Sequence, residues 1–116
     1  MVRPPHTSNT DLRRAEQLLS SADSKARWDG AELLGEFAET APDAVWPLIV
    51  RFGSSDDADV RTAIATCVLE HVFQYHFDRY FSEAERRVRA GNKPFANTVS
   101  SSWVRRDRAR GKQRKI

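Results

Sequence analysis

The chain has 116 residues, which is enough for one compact domain or one short repeat array. Apolar residues make up 40% of the chain and charged residues 30%, and no apolar run approaches the ~20 residues that a membrane-spanning helix needs. The opening residues, MVRPPHTSNT, lack the apolar segment of a secretory signal, and Cys67 is the single cysteine, so a soluble cytoplasmic protein without an internal disulfide is expected.

The charge differs between the two ends of the chain. Residues 1–78 contain 7 Lys/Arg and 13 Asp/Glu, for a net charge of −6, whereas residues 79–116 contain 12 and 3, for a net charge of +9. Such polarity is typical of a protein with a charged partner, and it also arises when the two ends of one chain attract each other.

Two helices are predicted after a disordered lead at residues 1–8, which contains two prolines and little that could be buried. The first helix spans roughly 10–20 and the second roughly 25–40, with small polar or acidic residues available to cap each one. Gly30 and Gly35 lie inside the second helix, where each costs ~1 kcal/mol relative to Ala. We therefore expect the backbone of a neighbouring helix to pack closely there.

A third helix is predicted at about 44–53, with Pro47 confined to its first turn, where a missing N–H matters least. A fourth follows at about 58–75, capped by Asp56 or Asp57.

The stretch FQYHFDRYF, residues 73–81, has two interpretations. Its apolar face lies about half a turn round from the face that contains Ile64, because nine residues at ~100° each separate them. Either one helix continues with two apolar sides, or the helix breaks near 76–82 and a capping box of Ser82 and Glu85 starts another. Gly91 then ends the fifth helix and Pro94 opens a sixth. The helical domain is expected to span residues 9–104, followed by a disordered basic tail at 105–116.

The sequence contains an internal repeat. When it is aligned with a copy of itself shifted by 34 residues, Asp23 falls on Asp57. Arg27 then falls on Arg61, and apolar positions fall on apolar positions without a gap. A third copy follows at a similar shift but is fainter, and it lacks both the Asp and the Arg. Two helices in a period of roughly 34 residues are typical of an α-solenoid, and an ordinary six-helix domain is the alternative.

The stretch VWPLIVRFGSSDDADVRTAIATCVLEH, residues 45–71, resembles a HEAT repeat, and residues 12–38 resemble a weaker copy. The resemblance implies an all-α fold of five or six antiparallel helices in about two and a half HEAT-like pairs. It also implies that the turn Asp and the following Arg tie neighbouring repeats together, so the expected inter-repeat residues are Asp23, Arg27, Asp57 and Arg61.

No catalytic or metal-binding pattern stands out. His71, Tyr75 and Asp78 fall at i, i+4 and i+7 on one helical face, and His76 could come near them. Their spacing does not match a known zinc motif, and half-buried polar residues at a helix junction explain them as well. Neither a nucleotide-binding glycine loop nor a nucleophile with its base is present in the sequence. We therefore expect a protein that is not an enzyme and that uses no cofactor and no metal.

Two hypotheses for a partner follow from the charge pattern. The first is a bacterial adaptor or immunity-like module that binds another protein, with a basic partner suited to its acidic face. Its candidate contacts are Trp28, Glu32, Glu36, Glu39, Trp46 and Asp56, and packing between helices is the alternative for the two Trp. The second is non-specific nucleic-acid binding through the basic tail. Its candidate contacts are Arg105, Arg106, Arg108, Arg110, Lys112, Arg114 and Lys115, and solubility is the alternative role of this tail.

Overall fold

A computed structural model describes residues 9–102 of the protein, and within them it contains helices and turns but no strand. The helices are α1 (Asn9–Leu19), α2 (Ser24–Gly35), α3 (Pro42–Gly53), α4 (Ala58–Ile64), α5 (Glu70–Arg89) and α6 (Lys93–Ser101). A π-helical turn, Ala65–Leu69, joins α4 to α5 and is called the π turn below. The all-α prediction is confirmed, whereas the predicted lead at 1–8 and tail at 105–116 lie outside the described residues.

Helices α2, α4 and α6 form a row. Helix α4 packs against α2 on one side and α6 on the other, and α1 packs along α2 while α3 packs on α4. Apolar side chains from every helix meet between these elements, since burying them is the main favourable term of folding. The fully buried members include Leu19, Leu34, Ile49, Ile64, Val68, Phe73 and Phe95.

Both glycines of α2 lie where another helix approaches closely, as their positions in the sequence predicted. A Cβ atom on Gly30 would lie 2.8 Å from the Leu18 Cβ and 2.9 Å from the Ala15 carbonyl oxygen of α1. A Cβ atom on Gly35 would overlap the Cys67 carbonyl oxygen of the π turn. Residues without a side chain are therefore needed at both crossings.

The π turn and a kink in α5 together change the direction in which the apolar residues of the long helix point, so both apolar faces can be buried. In a π turn each N–H bonds five residues back, so one extra residue enters the helix and rotates all later side chains by about 100°. His76, with φ −139° and ψ 43°, then breaks the helical geometry inside α5. The break is at the start of the predicted window, but the predicted capping box is wrong, because Ser82 donates to the Asp78 carbonyl 3.3 Å away and the helix continues through it.

Two predicted helix boundaries also need correction. Helix α3 begins at Pro42 rather than 44, so Pro47 lies inside the helix and not in its first turn. Helix α2 ends at Gly35 rather than 40, and the chain turns over the next five residues. The predicted stop at Gly91 is confirmed. Gly91 has a φ of 101°, and its N–H donates to the Val88 carbonyl oxygen 3.0 Å away.

Candidate functional site

The turns before α2 and α4 are built alike. The Asp23 carboxylate accepts a hydrogen bond from the Ala26 N–H at 3.0 Å, and the Asp57 carboxylate accepts one from the Asp59 N–H at 2.8 Å. Each Asp therefore caps the start of its helix, where the first N–H groups have no partner in the helix itself.

Two serines and two arginines repeat with the same offset along the chain as the two capping Asp residues. Ser21 and Ser55 each accept the N–H of the capping Asp at 3.0 Å through their hydroxyl oxygens. Arg27 Nη1 donates to the Ser21 carbonyl oxygen at 3.1 Å, and Arg61 Nη1 donates to the Ser55 carbonyl oxygen at 2.8 Å. The two arginines thus close equivalent turns of the chain.

Asp59 joins the start of α2 to the start of α4. Its carboxylate accepts hydrogen bonds from Trp28 Nε1 at 3.0 Å, Arg27 Nη2 at 2.8 Å and Ser24 Oγ at 2.9 Å. These donors, Trp28 first, lower the pKa of Asp59. Arg27 lies farther from Asp57, at 4.0 Å, so the main link between the two helices is made by Asp59, which the resemblance did not single out.

The start of α6 is joined to the end of α3 by neutral groups. Asn92 caps α6 by accepting the Phe95 N–H at 3.1 Å, and its amide donates to Ser54 Oγ at 2.9 Å. Thr98, fully buried, donates to the Gly53 carbonyl oxygen at 2.6 Å. Asn92 was missed from the sequence, although an Asn directly before Lys-Pro is itself a signal for the start of a helix.

A groove of about 410 Å³ lies where the end of α2 meets the π turn and the start of α5. We call it the acidic groove, and its lining residues are Glu32, Gly35, Glu36, Thr66, Cys67 and His71. The two Glu side chains are exposed, and within residues 9–102 no ion pair involves either carboxylate. The groove is therefore a concave surface with two negative charges at its edge.

The pKa of the Cys67 thiol depends on its burial and on the charges around the acidic groove. Burial raises its pKa to about 11, and the nearby carboxylates of Glu32 and Glu70 add to that shift. A thiol with such a pKa is almost entirely protonated at neutral pH, which makes it a poor nucleophile.

The predicted acidic face divides into two clusters. Glu32 and Glu36 lie at the C-terminal end of α2, whereas Asp56 lies beside the cap of α4, next to the N-terminal end of α2. The 12 residues of α2 span about 18 Å, so one small ligand cannot bridge both clusters. Glu39 is exposed in the turn after α2, where its carbonyl oxygen accepts a hydrogen bond from His76 Nε2 at 2.7 Å.

The two tryptophans proposed as anchors have structural contacts. Trp28 is half-buried and donates to Asp59, as described above. Trp46 is 8% exposed, and its ring lies 4.9 Å from that of Tyr80 and 6.3 Å from that of Phe95. Trp46 therefore belongs to the core and not to the acidic groove.

The histidines suspected of metal binding do not converge. His71 lines the acidic groove, whereas His76 contacts the turn after α2 and Asp78 is exposed on α5. Within residues 9–102 no group of three His, Cys, Asp or Glu side chains is arranged to hold a metal ion. None of the helices in that range combines the length and apolar character that crossing a bilayer requires.

No family model, curated protein or solved structure matches this chain. Its function is therefore inferred from the residues and their geometry.

A basic cluster lies at the opposite end of the row from α2. Arg86, Arg87, Arg89 and Lys93 are exposed around the turn between α5 and α6, and Arg86 forms an ion pair with Glu83. The seven basic residues proposed to contact nucleic acid, all within 105–116, lie outside the described residues.

Proposed function

We propose that the chain is a non-enzymatic, HEAT-like helical module whose acidic groove binds a basic segment of another protein. The observation that carries the proposal is the pair of exposed carboxylates, Glu32 and Glu36, at the edge of a groove whose lining, among the described residues, contains no Lys or Arg.

The HEAT-like part of the proposal is supported by the repeated turns. Asp23 and Asp57 cap successive second helices, and Arg27 and Arg61 close the same turns. The offset along the chain is the same for both pairs. Helices α2, α4 and α6 pack side by side, as the second helices of stacked pairs do. Such an arrangement offers a rigid surface made of helix faces and brings no chemistry of its own.

The choice of a basic partner follows from the chemistry of the acidic groove. An arginine side chain pairs with carboxylates through two parallel hydrogen bonds, and such charge-assisted bonds are stronger than neutral ones. The apolar stem of Arg or Lys can lie over the surface that Gly35 and Cys67 form while its charged end reaches Glu32 or Glu36.

Charge reversal in the acidic groove tests the proposal. Full-length tagged protein would be used to capture partners from the native host after mild cross-linking, and the affinity of the recovered partner would then be measured. We expect Glu32→Lys/Glu36→Lys to weaken binding by about tenfold or more, since it replaces two attractions with two repulsions.

The matched control is Asp78→Lys/Glu85→Lys, which makes the same change in net charge on exposed residues of α5. This control should retain the partner within about twofold. Equal loss of binding in both variants, or in neither, would contradict a specific role for the acidic groove.

Nucleic-acid binding is the second candidate, and the exposed basic cluster at Arg86, Arg87, Arg89 and Lys93 favours it. Retention on duplex DNA should then fall steeply with salt, with log K decreasing by about 0.9 per neutralised phosphate. Removing residues 105–116 separates the contributions of the tail and the cluster. An absence of retention at low salt would reject this second function.

A further inference from the structure

The acidic groove has a potential ligand in its own chain. Residues 105–116 contain seven Lys/Arg and one Asp, so this basic tail carries a net charge of +6. Within residues 9–102, the carboxylates of Glu32 and Glu36 have no ion-pair partner, and both face a groove wide enough for long side chains. The tail and the acidic groove are therefore complementary in charge.

The tail is long enough to reach the acidic groove. The last described residue, Ser102, follows α6, which packs against α4 and the π turn, and α2 lies on the far side of α4. Neighbouring helix axes are about 8–10 Å apart, so α6 and α2 are separated by about 20 Å. The eight residues from Ser102 to Arg110 can span up to about 26 Å when extended.

We propose that residues 105–116 bind the acidic groove of the same molecule and occupy it until a basic partner displaces them. The regulatory part of this inference rests on the proposed function, whereas the contact itself does not. Several Lys and Arg side chains share the two carboxylates in turn, so the contact is weak, sensitive to salt and open to competition by a segment that fits better.

Zero-length cross-linking of the isolated full chain tests this contact. A carbodiimide activates a carboxylate, and a lysine amine within direct reach replaces the activating group to form an amide. The chain has four lysines, and the tail contains two of them, Lys112 and Lys115. Lys25 and Asp29, which form an ion pair at 3.1 Å, provide an internal positive control for the reaction.

We expect the monomer to contain amides that join Lys112 or Lys115 to Glu32 or Glu36. Their yield should exceed that of links from the same lysines to the exposed Asp56 by roughly tenfold, equivalent to about 1.4 kcal/mol. High salt should remove the preference. Links spread evenly over exposed carboxylates, or found only in covalent dimers, would overturn the proposal.

Alkylation of Cys67 by iodoacetamide gives a second measurement. In the full-length variant with all seven tail cations changed to Gln, removal of nearby positive charge alone would disfavour the thiolate and slow the reaction. We expect about threefold faster alkylation instead, because the acidic groove is no longer covered. A rate that is unchanged or slower would contradict occupancy by the tail.

A control variant that removes four cations from the exposed basic cluster, Arg86, Arg87, Arg89 and Lys93 to Gln, should leave the alkylation rate within about twofold. Both measurements use the protein without a partner. Their failure would reject the tail contact and leave the proposed function to be judged by the charge-reversal experiment.

Discussion

Replacing Gly35 with Ala should weaken the packing of α2 on the π turn. A Cβ atom at this position would overlap the Cys67 carbonyl oxygen, which is part of the backbone and cannot rotate away as a side chain can. Inserting a methyl group into a well-packed contact typically costs about 1–3 kcal/mol, and a fixed obstacle favours the upper half of that range. Because Gly35 is the last residue of α2, the ~1 kcal/mol helix preference of Ala over Gly offsets little of this cost.

We expect Gly35→Ala to lower the free energy of unfolding by about 2 kcal/mol. For a domain of this size, that corresponds to a decrease in Tm of roughly 8–16 °C. Thermal unfolding followed by circular dichroism, together with urea titration, would measure it.

Gly91→Ala is the control for this experiment, because a Cβ atom there meets nothing within 4 Å. Its destabilisation should come from the positive φ alone and amount to about 1 kcal/mol. Gly35→Ala protein as stable as the wild type would refute the close crossing of α2 and the π turn.

Three further outcomes are expected. Asp23→Ala and Asp57→Ala should each lower the free energy of unfolding by ~1 kcal/mol in chemical denaturation, because each removes a helix cap. The lowered pKa of Asp59 means that its stabilising effect is complete above the ordinary carboxyl pKa and is lost as pH falls through the lower folded value. Asp59→Asn should therefore flatten the decrease in Tm at acid pH. Alkylation of Cys67 should increase about tenfold per pH unit up to its pKa of about 11, and Glu32→Gln should lower that pKa in a pH–rate profile.

Local chemistry made several parts of the fold predictable. Short polar or acidic side chains before an apolar pattern limited each cap to two neighbouring residues, and the structure shows Asp23 and Asp57 in that role. The costs of Gly30 and Gly35 inside a helix indicated a close crossing, which the structure confirms. The spacing of the apolar residues indicated which face of each helix is buried.

Features that depend on tertiary contacts could not be predicted in this way. The π turn shifts the register of one helix by a single residue, and no residue type within ATCVL specifies that shift. Glu32 and Glu36 line one groove together with Cys67 of the π turn. Predicting this from the sequence would require knowledge of which helices are neighbours. Trp46 presented the same difficulty, since its type suits a surface anchor as well as a core.

The contact between α2 and α4 and the contact between α3 and α6 differ in how they respond to acid and salt. Between α2 and α4 the contact depends on the charges of Arg27 and Asp59, whereas between the end of α3 and α6 it uses Asn92 and Thr98, which do not titrate. When the cap Asp57 is aligned with the cap Asn92, Asp59 falls on Pro94, which carries no charge, so the charged link has no counterpart there. Acid or high salt therefore weakens the contact between α2 and α4 more than the contact between α3 and α6, so the pair of α1 and α2 can loosen before α6 separates from α3.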